Sequence, residues 1–153
     1  GEGADPFYGI NTTSAGGGSA PALGDVDGDG RLDLVLGSWN GPLFYYRNEG
    51  TATAPKYVRV SEEGADPFYG ISTAASANGN SAPALGDVDG DGRLDLVLGS
   101  YGGPGLFYWR NEGTAGAAKY VAVTGAGADP FENFAWKRTT DASQSWPPVP
   151  HSW

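Results

Sequence analysis

The chain has 153 residues, with 18 acidic against nine basic side chains, a net charge of −9 and no cysteine. Disulfides and thiolate chemistry are therefore closed to it. The scattered Lys and Arg form no basic stripe for nucleic acid, and no apolar run approaches the roughly 18 residues of a membrane-spanning helix. Its 26 glycines and 11 prolines recur periodically, so they read as turn punctuation between short strands rather than as disorder.

The chain opens on GEGADPF, in the middle of a repeat, a phase that suggests a mature product or a fragment of something longer. The pentad GADPF begins at Gly3, Gly64 and Gly127, giving spacings of 61 and 63 residues. Residues 19–38 and 81–100 both read SAPALGDVDGDGRLDLVLGS, twenty positions without a change. Each repeat predicts four strands: 21–25, 32–37, 43–47 and 57–60, then 83–87, 94–99, 106–110 and 120–123. Asn40-Gly41-Pro42 and Gly102-Gly103-Pro104-Gly105 supply turns between the second and third strands. Asn48-Glu49-Gly50 and Asn111-Glu112-Gly113 do so between the third and fourth. Leu43-Phe44-Tyr45-Tyr46 and Leu106-Phe107-Tyr108-Trp109 lack apolar/polar alternation, so these strands expect cover on both faces. Sheets stacked around an axis give that cover, because repeat units bury their apolar faces against neighbours. The fold class is all-β, with antiparallel four-stranded units.

The divisions follow. Residues 1–18 are a partial repeat or linker, 19–80 the first repeat, 81–131 the second, and 132–153 a tail. That tail holds three Trp and three Pro, and its Trp146-Pro147-Pro148-Val149-Pro150 run predicts extended chain. It is expected to lie across the last repeat or a neighbour, or else to dock on another subunit.

The centre of each identical stretch reads D-x-D-x-D-G-x-x-D. With Asp25 as position 1, Asp27, Asp29 and Asp33 take positions 3, 5 and 9, Gly30 the sharp turn, and Arg31 the main-chain carbonyl position 7. The second set is Asp87, Asp89, Asp91, Gly92, Arg93 and Asp95. Like charges 4 Å apart repel by about 4 kcal/mol at an effective dielectric of 20, so the loop calls for a cation. Oxygen-only ligands select Ca²⁺ over softer metals. Position 12 is Leu36 or Leu98 rather than Glu, and a strand follows rather than a helix, so the ninth-position Asp is expected to close the shell. Two such ions would offset four of the nine net negative charges.

DVDGDGRLDLVLGS, preceded by SAPAL and followed by GPLFYYRNEGTATAP, resembles the FG-GAP or VCBS repeat of integrin-α-type β-propellers, over residues 1 to about 131. The resemblance implies propeller blades of four antiparallel strands and two structural calcium ions. These would be held by Asp25, Asp27, Asp29, Arg31 and Asp33, and by Asp87, Asp89, Asp91, Arg93 and Asp95. It places the loops between the first two strands of each blade, away from the ligand surface. Such propellers close with about seven blades, whereas this chain has two full repeats and flanking pieces. Other protein chains or further blades are thus expected to complete the ring.

No active site is expected. His151 is the only histidine and sits in the tail without an orienting partner. Asp5-Pro6, Asp66-Pro67 and Asp129-Pro130 recur with the repeat and read as turn starters. Asn11-Thr12-Thr13 is a glycosylation sequon of little weight alone. The expected role is a calcium-binding, non-catalytic interaction module of adhesion type, extracellular or lumenal. The alternatives are a carbohydrate-binding propeller and an accessory region of a larger secreted enzyme. Trp39 and Tyr101 are expected to pack blade against blade, with stacking on sugar rings as the alternative.

Overall fold

The computed structural model describes residues 5–73, 80–100, 105–125 and 127–131. Tyr101, most of the 72–80 loop and the whole 132–153 tail, with His151, lie outside the described residues. The strands are β1 (Ala20–Gly24), β2 (Asp33–Gly37), β3 (Phe44–Asn48), β4 (Tyr57–Val60), β5 (Ser81–Gly86), β6 (Asp95–Ser100), β7 (Leu106–Asn111) and β8 (Tyr120–Val123). They form two antiparallel meanders, ordered β1-β2-β3-β4 and β5-β6-β7-β8. The one helical piece among the described residues is a single 3-10 turn, Thr13–Ala15. The architecture is all-β, two propeller-like blades side by side without a closed barrel.

Strand limits differ slightly from those expected. β2 begins at Asp33 rather than Leu32, because the Leu32 carbonyl turns away to accept from Asn48 Nδ2 at 3.2 Å. β1 stops at Gly24, before the acidic loop, and β3 runs one residue later, through Asn48.

Register explains the unalternated aromatic runs. Val35 pairs with Tyr45, while Leu34 and Leu36 pair with Tyr46 and Phe44, so the first blade has two apolar faces. Val35 and Tyr45 join Val26, Leu43, Phe68, Leu96 and Leu98 in a core between the blades. Leu34, Leu36, Phe44 and Tyr46 pack under Ala15 and Ile10 on the opposite side. All five β2 residues are buried as a result. The blades meet closely: a Cβ at Gly37 would lie 2.0 Å from the Ser81 carbonyl oxygen, and Ser38 N donates to Ser81 Oγ at 2.8 Å.

Each Asp-Pro-Phe forms one turn. The Asp carboxylate accepts from the Phe backbone N–H two residues on, at 2.9, 2.9 and 2.8 Å for Asp5, Asp66 and Asp129. The Asp-Pro pairs are thus turn starters. Phe68 (1% exposed) lies between the rings of Tyr45 and Tyr120, with centroids at 5.5 and 4.8 Å. Phe7 stacks on Tyr57 and Phe131 meets Tyr108 edge-on.

Removing a buried Phe ring costs about 3–5 kcal/mol, and an exposed one far less. Phe68→Ala therefore destabilises by about that amount, whereas Phe7→Ala, at a residue 43% exposed, costs about 1 kcal/mol or less. Urea denaturation of both variants checks this; equal losses would contradict it.

Candidate metal centres

The acidic loops join β1 to β2 and β5 to β6, so both ends of each loop are fixed by neighbouring strands. The first residue of each loop organises the turn. Asp25 accepts from the backbone N–H groups of Asp29 at 3.0 Å and Gly30 at 2.9 Å. Asp87 accepts from Gly90, Asp91 and Gly92 at 2.8, 3.0 and 2.9 Å. Position 3 adds a bond to the N–H of position 5, from Asp29 to Asp27 at 3.3 Å and from Asp91 to Asp89 at 3.1 Å. Ionised carboxylates accept such bonds well, and the wrapping turns their oxygens inward.

Asp25, Asp27 and Asp29 each bring an oxygen within 4.8 Å of the others, and Asp87, Asp89 and Asp95 do the same. The structure does not bring Asp33 into the first cluster or Asp91 into the second. Asp91 is turned instead toward the guanidinium group of Arg93, and Asp29, while in the first cluster, also pairs with Arg31. Those arginines also clamp the loop to the third strand, donating from Nε to the Asn48 carbonyl at 2.9 Å and the Asn111 carbonyl at 2.7 Å.

The ninth-position carboxylates are fully buried, at 0% exposure for both Asp33 and Asp95. Asp33 accepts from Val26 N at 3.1 Å, Tyr45 Oη at 3.0 Å and Asn48 N at 2.8 Å. Asp95 repeats the set with Val88 N, Tyr108 Oη and Asn111 N at 3.0, 2.9 and 2.8 Å. Burial, followed by the Asp33 charge, raises the Tyr45 hydroxyl well above the ordinary phenol. Burial and the bond to Asp95 do the same for Tyr108.

Tyr45, Asn48, Tyr108 and Asn111 are site residues that sequence reasoning missed. The sequence marks Asn48 and Asn111 only as turn formers. The available signal was their recurrence after each third strand. Each Asn also accepts two backbone N–H groups of the next turn, from Gly50 and Lys56 or from Gly113 and Lys119, all at 3.0 Å. Trp39, by contrast, is 56% exposed. It does not pack blade against blade, because the β2–β3 turn carries it outward.

The donor set suits a hard cation. All the converging atoms are carboxylate oxygens, and none of the described ion pairs neutralises Asp33 or Asp95. Burial first, then the Asp33 and Asp29 charges, holds Asp27 above the ordinary aspartate value of 3.8. A carboxyl whose pKa is higher folded than unfolded keeps its proton more firmly when folded. The metal-free protein thus loses stability as pH rises from the ordinary aspartate value through the folded one. Asp27→Asn removes that ionisation. In buffer stripped of divalent ions, its stability relative to the parent should rise between pH 4 and pH 7. Denaturation at the two pH values measures this, and a variant that loses ground at pH 7 would contradict it.

Comparison with protein families returns two matches: an FG-GAP-like repeat model over residues 25–98 and an FG-GAP repeat model over residues 79–128. Curated proteins and solved structures give no match. Among the described residues no helix is long and apolar enough to cross a membrane. The family matches span both acidic loops and every strand but the first, and the chain belongs to the FG-GAP repeat family.

Proposed function

We propose that the chain is a calcium-stabilised, non-catalytic interaction module. Each acidic loop holds one Ca²⁺ through Asp25, Asp27, Asp29, Asp33 and the Arg31 carbonyl, or through Asp87, Asp89, Asp91, Asp95 and the Arg93 carbonyl. The observation that carries this reading is the pair of convergent carboxylate clusters, each joined to the blade core by a buried aspartate that has no basic partner among the described residues. Taking up the ion turns a self-repelling loop into a clamp between the first two strands of a blade. The first loop also rests on the second blade: a Cβ at Gly28 would lie 1.9 Å from the Ala115 carbonyl oxygen. Calcium in that loop therefore supports the seam between blades as well as its own turn.

The role is architectural, presenting surface loops to other proteins. Extracellular calcium modules commonly bind with dissociation constants near 10⁻⁴–10⁻³ M, which suits the calcium outside a cell or in a lumen rather than in cytosol. The first blade comprises residues 19–80 and the second 81–131, with 1–18 and 132–153 flanking them.

An ion present at a hundred times its dissociation constant stabilises by about 2.7 kcal/mol. Two such sites contribute about 5 kcal/mol, which for a chain of this size shifts the melting temperature by about 10–20 °C. Thermal melts in excess calcium and in EGTA at pH 7.5 test the reading. The expected result is a drop of that order on chelation, restored by added calcium; superimposable melts would overturn it.

A further inference from the structure

The twenty-residue stretch that occurs twice has two different environments. In the first copy, Gly24 and Gly28 lie against the second blade. A Cβ at Gly24 would fall 2.8 Å from Leu94 and 2.9 Å from Leu85. In the second copy, a Cβ at Gly86 or Gly90 would meet nothing within 4 Å. Val26 is 5% exposed and Val88 38%; Leu43 is 7% exposed and Leu106 36%. The second blade thus carries, unburied, the surface that the first blade uses to receive its neighbour.

The opposite faces show the complement. Leu85, Leu94, Pro83 and Ser81 of the second blade are covered or half-covered, Leu85 and Leu94 reaching Gly24 and Pro83 and Ser81 reaching Gly37. Their counterparts in the first blade, Leu23, Leu32, Pro21 and Ser19, are all exposed, Leu23 at 47% and Leu32 at 54%. These seam contacts therefore recur, one half on the outer face of each blade, while Leu34, Leu36, Phe44 and Tyr46, deeper in the first blade, already lie under Ala15 and Ile10.

We propose that the partner of both faces is a second copy of this chain, joined head to tail. The Gly86, Val88 and Leu106 face of one copy receives the Leu23 and Leu32 face of the next, reproducing the internal seam. Ser100 of one copy then meets Ser19 of the next, as Ser38 meets Ser81 within the chain. Contacts of this heterologous kind build a ring when the rotation closes and a filament when it does not. The proposal rests on the interaction-module reading of the two sheets and names its partner; it does not rest on calcium.

Two substitutions block the two faces separately. Gly86→Val adds a side chain into open space in the free chain but into the seam of the assembly. Leu23→Glu puts a charge on the other face, at a residue already exposed. Sedimentation equilibrium is run from low micromolar to millimolar chain, with and without calcium, with circular dichroism confirming that each variant folds. The wild-type mass should rise above one chain with concentration, and each variant should stay at one chain. An equimolar mixture of the variants should form a two-chain species, because each retains the face that the other lacks. A wild-type mass of one chain throughout, variants that associate like wild type, or a mixture that stays single would overturn the proposal. Failure of the calcium reading would show separately, as melts that chelation leaves unchanged.

Discussion

A buried carboxylate with no basic partner among the described residues is the constraint on which each blade depends. Asp33 ties the acidic loop, through Val26 N, to the third strand, through Asn48 N and Tyr45 Oη. Leaving a buried donor unsatisfied costs about 1–3 kcal/mol, so the three donors hold Asp33 in place. Burying an ion without a counter-charge costs several kcal/mol even after relaxation. Three neutral donors lessen that cost and do not cancel the charge. The proposed cation would complete the balance.

The same constraint orders the blade outward from the loop. Arg31 is drawn over the loop toward the Asn48 carbonyl, and Asn48 in turn gathers the Gly50 and Lys56 N–H groups of the β3–β4 turn. One strand end therefore organises two turns. The second blade repeats each of these bonds with Asp95, Arg93 and Asn111. Local geometry is thus set within the repeat. Burial is set by what lies next to it, and identical residues there diverge: Val26 is covered and Val88 is not.

Much of the fold was legible because the repeat is exact and the turns carry Gly, Pro and Asn. All eight expected strands are present, displaced by a residue or two at their ends. The missing alternation of Phe44-Tyr45-Tyr46 correctly implied cover on both faces. The carboxylate clusters of the Asp25 and Asp87 loops were visible from the spacing of their aspartates. The roles of Tyr45 and Asn48 were not, since hydrogen bonds to Asp33 from residues 12 and 15 positions away leave no spacing rule in a single chain. Nor could spacing show that Asp29 would face Arg31, a choice between two local partners for one carboxylate. Trp39 departs from the expected packing because an aromatic at a tight turn follows the turn outward rather than the core inward.

The most direct test of the central claim is calcium titration calorimetry on protein stripped of divalent ions. Two ions should bind per chain, and Asp33→Asn should reduce that number to one while the Asp95 site still fills. Titration with no heat of binding, or full occupancy retained by the Asp33→Asn chain, would contradict the coupling of the buried carboxylate to a metal-filled loop.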